Sequence, residues 1–392
     1  MPRKYPSLYD LVIRGGRVVD PAQEINERRD IAVSRGRVAA VEARISGGNA
    51  KRVLDASGML VTPGLVDLHA HTARDVTRVS IDADRACLLK GTTTVVDAGS
   101  TGEILFPSFR KFVLDKSTTR MFALINIESP GMVYLTGSSG PQEIDHLWGE
   151  LTAAMNEHYI PLFVNMRNTV KTIKQNRSVI VGIKWAHHRI NGMALAREAA
   201  DKAGCMLMIE NRFMPDCLKY VKKGDVITHM YGNWAVPEAG LLSLVEDGKV
   251  KPDYFKAVRR GVKLDVGHGR GSFSWKVAEI ALREGLAPFS ISTDLWTGNI
   301  AGPVFDLPTT MAKFLHLGMS LEDVIRASTW NPASLIQSQE RFGTLKPGSC
   351  ADVTLFKLSE GRFPLIDSSG KGRTATRKLV PMHVVRAGKV VL

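Results

Sequence analysis

Two histidines separated by a single residue give the strongest chemical signal in the 392-residue chain. His69 and His71 end the apolar run that begins at Val66. Residues i and i+2 of a β-strand point to the same face, so both imidazoles can reach one metal ion. Two polar residues in a loop would share this spacing, so the pair must be weighed together with the strands that follow.

Later apolar runs in the middle of the chain also end on polar residues suited to catalysis or metal binding. These residues are separated by 26, 19 and 65 positions, and a further predicted strand before His268 divides the last gap. Such gaps fit successive βα units, whose strands carry the active site at their carboxyl ends. The residues are Lys184, Glu210, His229 and Asp294.

The elements that must position these residues alternate between strands and helices. Strands separated by helical patterns indicate a parallel sheet. The pattern predicts an α/β fold, a (β/α)8 TIM barrel. Strands are predicted at Ser178–Lys184, Cys205–Glu210, Asp225–His229, Lys263–Gly267 and Phe289–Thr293, and helices at Met193–Ala203 and Trp275–Glu284.

Both ends of the chain predict short strands instead. Because the strand-rich ends flank the long middle, we expect one small β-sandwich domain from residues 1–61 and 345–392. The TIM-barrel domain would then span residues 62–344. The predicted strands are Tyr9–Val19 with a turn at Gly15-Gly16, Asp30–Glu42 with a turn near Gly36, Lys51–Val61, Asp352–Lys357 and His383–Leu392.

The composition is that of an ordinary globular protein, with 44% hydrophobic and 23% charged residues. The N-terminus has no apolar segment behind its basic residues, and no apolar run approaches the roughly 18 residues of a membrane span. A cytoplasmic enzyme with no membrane contact is therefore expected. Its four scattered cysteines are expected to be reduced thiols.

The net charge of +13 has two interpretations. A concentrated basic stripe would indicate nucleic-acid binding, but the charge is dispersed, so we predict a basic soluble surface and no nucleic-acid partner. Some of the charge could steer an anionic substrate. The densest stretch, Lys371–Lys378, is predicted to lie in a loop. A homo-oligomer is the default expectation for such an enzyme.

Several longer stretches resemble the amidohydrolase superfamily, and within it the dihydroorotase-like amidohydrolase/deacetylase branch. The resemblance spans nearly the whole chain. Some members of that branch cleave acetyl esters of hydroxy acids, and others resemble hydantoinases and deacetylases. The stretches are Ser57–Gly58, Val61–His71, Gly91–Gly99, Val181–Lys184, Asp265–Gly269, Gly271–Ser274, Met311–Leu315 and Leu345–Val353.

The resemblance implies a two-metal site. His69 and His71 would bind the first divalent ion together with Asp294, and His229 would bind the second. Lys184 would be carbamylated by CO₂ and would bridge the two ions, which would be Zn²⁺ or alternatively Mn²⁺. Asp294 would also move a proton from the attacking water to the leaving group.

Glu210 departs from the pattern that the resemblance implies, because the fifth strand normally ends in a histidine that binds the second metal. A carboxylate is also a competent ligand. The alternative is that Glu210 binds no metal and that the second site is weak or empty. His187 and His188, just after Lys184, could then substitute.

Loop residues after the strand ends suggest what the substrate looks like. Tryptophans there either wall a pocket for an aromatic or bulky group or pack the loops together. One of several arginines is expected to bind a substrate carboxylate. His268 is predicted to contact substrate or an oxyanion. The residues that follow the strand ends are the tryptophans Trp185, Trp234 and Trp296 and the arginines Arg74, Arg189, Arg212 and Arg270. The residues predicted to bind substrate are Arg270, Arg74, Trp296, Trp185 and Ser272.

The sequence therefore predicts a metal-dependent amidohydrolase that cleaves an amide or ester bond in a small molecule. Within the class, an acetyl-ester hydrolase or deacetylase of hydroxy acids is the alternative. A non-catalytic binding protein on the same fold is the alternative from another class.

Overall fold

A parallel sheet and a mixed sheet organise the chain in the computed structural model, which describes residues 8–133, 164–186, 190–236, 240–336, 338 and 341–392. The strands are β1 Leu11–Asp20, β2 Ile25–Ser34, β3 Arg37–Glu42, β4 Val53–Asp55, β5 Leu60–Pro63, β6 Leu65–Ala70, β7 Thr92–Ala98, β8 Arg120–Asn126, β9 Ile180–Trp185, β10 Met206–Glu210, β11 Val226–Thr228, β12 Ala235–Val236, β13 Leu241–Leu242, β14 Val245–Glu246, β15 Lys249–Val250, β16 Lys263–Leu264, β17 Val353–Ile366, β18 Gly372–Arg386 and β19 Lys389–Val390. The helices are α1 Ala83–Ala86, α2 Phe106–Phe112, α3 Met166–Gln175, α4 Ile190–Ala203, α5 Pro252–Arg259, α6 Trp275–Arg283, α7 Leu307–His316, α8 Leu321–Ala327 and α9 Trp330–Leu335.

The parallel sheet has the strand order β16-β11-β10-β9-β8-β7-β6. β6, β7 and β8 are buried along their whole length, as expected for parallel strands covered on both faces. One face places Val96, Leu124 and Met208 in a common cluster. The other face packs Ile183 and Trp185 into the main core with the helices. The chain thus has the α/β architecture that the alternating pattern predicts.

The segment Ser290–Leu295 joins the two edges of this sheet. Gly269 N donates to Thr293 O at 2.9 Å on the β16 side, and His71 N donates to Leu295 O at 2.9 Å on the β6 side. Single parallel bridges, Asp265 with Ser290 and Ala70 with Leu295, accompany these bonds. The sequence predicts a regular strand at Phe289–Thr293, whereas the structure has these isolated bridges. The segment nevertheless carries Asp294 to the end of the sheet where the other strands finish.

The two ends of the chain form one eight-stranded mixed sheet, with the order β19-β18-β17-β5-β1-β2-β3 and β4 paired with β1. The predicted two-sheet sandwich is not confirmed. The predicted turn at Gly15-Gly16 is wrong, because β1 continues through a bulge between Ile13 and Gly16 while it pairs with β2. The turn near Gly36 is confirmed between β2 and β3.

The hairpin of β17 and β18 is much longer than the sequence predicts. The basic stretch Lys371–Lys378, predicted as a loop, lies mostly in β18, where every residue from Gly372 to Lys378 except Thr376 pairs with a residue of β17. Leu365 and Leu379 of this hairpin pack in the same core as the helices around the parallel sheet. At the tip, Ser368 N donates to Phe273 O at 3.0 Å. The C-terminal hairpin therefore reaches the loop that follows β16.

None of the four cysteines, all of which are described, forms a disulfide. In the described part of the chain, every helix is too short or too polar to span a bilayer.

Candidate active site

Three histidines present the same ring nitrogen to one region at the carboxyl ends of the strands. His69 and His71 come from the end of β6, and His229 follows β11. One ligand atom from each of His69, His229 and Asp294 lies within 4.8 Å of the other two. The three histidines are buried and the side chain of Asp294 is only 14% exposed, so the site is a recess lined by imidazole and carboxylate groups.

Hydrogen bonds behind the imidazoles fix where their protons lie. Thr228 Oγ1 donates to Asp265 Oδ2 at 2.7 Å, so this hydroxyl can only accept from His69 Nδ1, which is 3.0 Å away. Asp265 is an acceptor, because hydrogen bonds from its neighbours outweigh burial and lower its pKa. One proton of His69 is therefore on Nδ1. Burial and Lys184 lower the pKa of His69, but Asp294 and Asp265 outweigh them and raise it, so Nε2 presents a lone pair to the site in the neutral form that a bound metal would select.

The same arrangement recurs at the other two histidines. Ser100 Oγ donates to Asp97 Oδ2 at 2.8 Å and so accepts from His71 Nδ1 at 2.9 Å. His229 Nδ1 is 2.7 Å from Gly267 O, a carbonyl that can only accept. Burial lowers the pKa of His229 to about 4, which keeps its imidazole neutral. Ligating histidines in metal sites are held in this way, with Nδ1–H bonded and Nε2 free to bind.

Asp294 completes the recess. Its Oδ1 lies 3.1 Å from His71 Nε2 and 3.3 Å from His69 Nε2. Ligand atoms that share a tetrahedral zinc ion stand about 3.4 Å apart. Burial would raise the pKa of Asp294, but the surrounding histidines outweigh it and hold the pKa well below its ordinary value. The donor set and its spacing thus fit a divalent cation.

The backbones of two of these residues are strained. His229 has φ of 64° and Asp294 has φ of 50°, both in the left-handed region. For a residue other than glycine this conformation costs of the order of 1–3 kcal/mol, and such strain collects at functional sites. The fold therefore holds both side chains at a local energetic cost.

Lys184 lies at the centre of the recess. Its Nζ is 3.3 Å from His69 Nε2, and its side chain is fully buried. Burial lowers its pKa, although nearby carboxylates oppose the shift. A neutral amine is the form that reacts with CO₂, so the environment favours the predicted modification. The carbamate itself stays a prediction.

Glu210 faces His229 across the second half of the recess. Arg212 Nε donates to Glu210 Oε2 at 2.9 Å, and Glu210 Oε1 lies 3.8 Å from His229 Nε2. One carboxylate oxygen is thus paired with a guanidinium and the other is turned toward the imidazole. The ligand role of Glu210 stays a prediction. His187 and His188, its predicted substitutes, and Arg189 lie outside the described residues.

His268 does not face the recess in the way that the sequence predicts. Its Nδ1 is 2.9 Å from Gly269 O, its Nε2 is 2.5 Å from Lys313 Nζ, and its ring stacks on Phe273. Both nitrogens are occupied and the side chain is fully buried. These contacts do not support the predicted contact with substrate or oxyanion, which stays a prediction.

The predicted substrate-binding residues separate into two groups. Ser272 and Arg270 lie in the loop whose Gly269 adjoins Asp294, Ser272 buried and Arg270 exposed. Trp296 packs beside Val79, close to Asp294 in the chain. These three remain candidates.

The other two predicted residues are engaged elsewhere. Trp185 is fully buried in the core, with its ring 6.3 Å from that of Phe213. Neighbouring residues on a strand point to opposite faces, so the alternation that turns Lys184 inward turns Trp185 outward. Arg74 forms ion pairs with Asp75 and Asp82 at the surface. A substrate role for either is not supported.

The sequence did not reveal Thr228, Ser100 or Lys313 as functional residues. Thr228 directly precedes His229, and Ser100 follows the end of β7, so both occupy strand-end positions that could have drawn attention. Lys313 lies on the outer helix α7 with no local signal of its contact. Asp97 and Asp265 orient His71 and His69 through the two hydroxyls.

Comparison with known proteins identifies the group to which this site belongs. A model of the Amidohydrolase family matches residues 273–391. A deacetylase of Agrobacterium fabrum is 32% identical over 371 residues, covering 91% of this chain and 84% of the relative. A deacetylase of Enterococcus faecalis is 31% identical, covering 97% of this chain and 99% of the relative.

The chain belongs to the amidohydrolase family. This amidohydrolase also resembles a solved dihydroorotase, with 30% identity and a TM-score of 0.83 over 97% of each chain. A solved adenine deaminase is 31% identical, with a TM-score of 0.82 over 97% of this chain and 99% of that one. The protein is therefore a hydrolase, of a family that generally uses divalent metals. Three different activities among its relatives leave the substrate to be inferred from the site.

Proposed function

We propose that this amidohydrolase is a metal-dependent hydrolase of the amide or ester bond of a small carboxylate-bearing molecule, with acetyl as the acyl group removed. The observation that carries the reaction type is that His69 Nε2 and His71 Nε2 both lie within 3.3 Å of Asp294 Oδ1. The deacetylases that match most of the chain support the acetyl group. The proposal includes a (β/α)8 barrel whose eighth position is the segment Ser290–Leu295.

Two divalent ions, Zn²⁺ or alternatively Mn²⁺, would be held by two sets of residues. His69, His71 and Asp294 would hold the first, and His229 and Glu210 the second, with carbamylated Lys184 between them. Such ions, when bound, lower the pKa of water and polarise a carbonyl. The lone pairs turned into the recess by the bonds at each Nδ1 support this assignment.

Asp294 would move the proton during hydrolysis. Its Oδ1 faces the two histidines of β6, so Oδ2 is the oxygen left to take a proton from the attacking water. The same oxygen would then give the proton to the departing alcohol or amine. Alcohol and amine leaving groups need the same transfer, so ester and amide substrates remain within one mechanism.

Arg270 is the candidate for recognising a substrate carboxylate. It is exposed in the loop that carries Gly269 against Asp294. A guanidinium binds a carboxylate through two parallel hydrogen bonds. Trp296, and Trp234 with its ring 6.5 Å from that of His229, would contact the apolar part of the substrate.

A matched substrate set tests the proposal. We would compare the O-acetyl ester and the N-acetyl amide of one aromatic hydroxy or amino acid with the same compounds whose carboxylate is converted to a primary amide. Hydrolysis should require metal and should favour the carboxylate forms. Arg270→Ala should raise KM for the carboxylate forms alone, and Arg74→Ala, whose charge is used at the surface, is the control. A panel in which the uncharged compounds react faster would refute the substrate class, and hydrolysis unaffected by complete metal removal would refute the reaction.

A further inference from the structure

The loop Gly267–Ser274, which follows β16, contacts the recess at two points near its start. Gly267 O accepts the hydrogen bond from His229 Nδ1 at 2.7 Å. At Gly269 the backbone adjoins the Asp294 carboxylate so closely that any side chain would collide with Oδ2. Both glycines have φ near +50°, at +47° and +51°, a conformation that favours glycine. The position of this loop therefore fixes the positions of the His229 and Asp294 side chains.

His268 lies between the two glycines, and its ring contacts Lys313 and Phe273. Gly269 O can only accept, so the proton of the ring is on Nδ1 and Nε2 is an acceptor. The ring is fully buried and stacks on Phe273, with centroids 4.7 Å apart and planes 14° from parallel. His268 is thus held in one orientation and offers Nε2 to one donor.

That donor is Lys313, on helix α7. Its Nζ is 2.5 Å from His268 Nε2 and 2.9 Å from Pro303 O, and lies 5.4 Å from the centre of the Phe273 ring. The side chain is fully buried. Burial lowers the pKa of Lys313 to about 7. One amine thus links the loop after β16 and the loop at Pro303 to the same helix.

A buried lysine needs an explanation, because removing an amine from water is costly unless hydrogen bonds replace the lost hydration. Methionine or leucine would fill the same space in α7 without that cost. The two hydrogen bonds of Lys313 go to loops at the carboxyl end of the sheet, which the packing of α7 alone does not require.

We propose that Lys313 is a positioning residue of the active site, which acts through His268 to hold the loop Gly267–Ser274 against His229 and Asp294. The inference rests on the proposed function for its activity readout, while its structural readout needs no substrate and no metal. Partners that hydrogen-bond metal ligands directly contribute about 10–100-fold to metal affinity or activity, and we take the same range for Lys313, which acts on His229 and Asp294 through the loop.

The test compares Lys313→Met with Lys276→Met, which removes an exposed helical lysine from α6. Hydrogen–deuterium exchange is measured on both metal-free, full-length variants. His268 N donates to Ser292 O and Gly269 N to Thr293 O, so loosening the loop exposes these amides. We expect about tenfold faster exchange across residues 267–274 in Lys313→Met, since one buried hydrogen bond is lost. Exchange in β6 and in Lys276→Met should be unchanged. Wild-type exchange at residues 267–274 would overturn the proposal.

The metal-loaded variants give a second readout. Lys313→Met should lose zinc to a chelator about 10–100-fold faster and lower kcat by a similar factor, with KM within about twofold of wild type. Unchanged zinc retention together with unchanged kcat would overturn the proposal. If no tested ester or amide is hydrolysed but exchange responds as expected, the proposed function fails and the positioning role stands.

The single variant His268→Phe covers the case in which Lys313→Met does not fold, and where both variants fold a double-mutant cycle combines them. His268→Phe keeps the stack on Phe273 and removes both ring nitrogens. If Lys313 acts through His268, His268→Phe alone should loosen the loop to the same extent, and adding Lys313→Met should have no further effect on loop exchange. Wild-type exchange in His268→Phe, or fully additive effects, would overturn the proposal.

Discussion

Removing the Thr228 hydroxyl should weaken metal binding without touching a metal ligand. In Thr228→Val the side chain keeps its shape, but His69 Nδ1–H loses its acceptor at 3.0 Å. Asp265 Oδ2 lies 3.8 Å from Nδ1, beyond hydrogen-bonding distance, so it cannot replace the hydroxyl without moving. The tautomer with the proton on Nε2 then becomes the more stable one, and Nε2 is the atom that must bind metal.

Two independent considerations give the size of the effect. A buried N–H left without a partner costs about 1–3 kcal/mol, and His69 is fully buried. Loss of a group that orients a ligating histidine costs about 10–100-fold in affinity, which is about 1.4–2.8 kcal/mol. We therefore expect zinc affinity to fall by about 10–100-fold in Thr228→Val.

Competition with a chromogenic chelator measures this affinity directly. Thr228→Ser is the matched control, because it restores the hydroxyl and loses only a methyl group. Its zinc affinity should be within a few-fold of wild type. Equal affinity in Thr228→Val and wild type, or an equal loss in both variants, would refute the argument that the Asp265–Thr228–His69 chain sets the tautomer.

Three further predictions follow from the same contacts. Asp294→Asn cannot hold a proton at the position of Oδ2, so kcat should fall about 10²–10⁴-fold with metal in excess, and a loss below tenfold would contradict the proton-transfer role. Trp185→Ala should lower the free energy of unfolding, measured in urea, by about 3–5 kcal/mol because the ring is fully buried. A change near zero would contradict the core position of Trp185 and favour the pocket role predicted from the sequence. Burial lowers the pKa of Lys313 from 10.5 to about 7, so between those pH values the unfolded chain binds more protons at this residue and stability rises with pH. In urea unfolding, the free energy of unfolding of the wild type should increase relative to that of Lys313→Met by up to about 1.4 kcal/mol per pH unit in that range. A difference between the two proteins that stays constant or decreases with pH would contradict the lowered pKa of Lys313.

The positions of the main site residues could be predicted because parallel strands end at a common edge. His69, His71, Lys184, His229 and Asp294 all lie there, since each ends or follows a segment of the sheet. The same geometry could have excluded Trp185, because residues next to each other on a strand face opposite sides. The prediction of a pocket role for Trp185 gave weight to its place after Lys184 and not to the direction of its side chain.

The contacts that orient the ligands could not be predicted in the same way. Thr228 Oγ1 bonds Asp265 and His69, which are 37 and 159 residues away in the chain. Lys313 meets His268 across 45 residues and belongs to a helix with no polar stripe that points to the site. Such contacts depend on how the elements pack. The long hairpin of β17 and β18 was missed for a similar reason, because its outer half is stabilised by packing against the main core.

Metal content per chain, measured by elemental analysis after growth with added zinc or manganese, tests the central claim most directly. The account predicts two divalent ions per chain in the wild type and about one in Glu210→Ala, in which the carboxylate facing His229 is removed. One ion in both proteins would contradict the role of Glu210 and the two-metal site. A folded wild-type protein that retains no stoichiometric metal would contradict the proposal that this amidohydrolase uses His69, His71 and Asp294 as metal ligands.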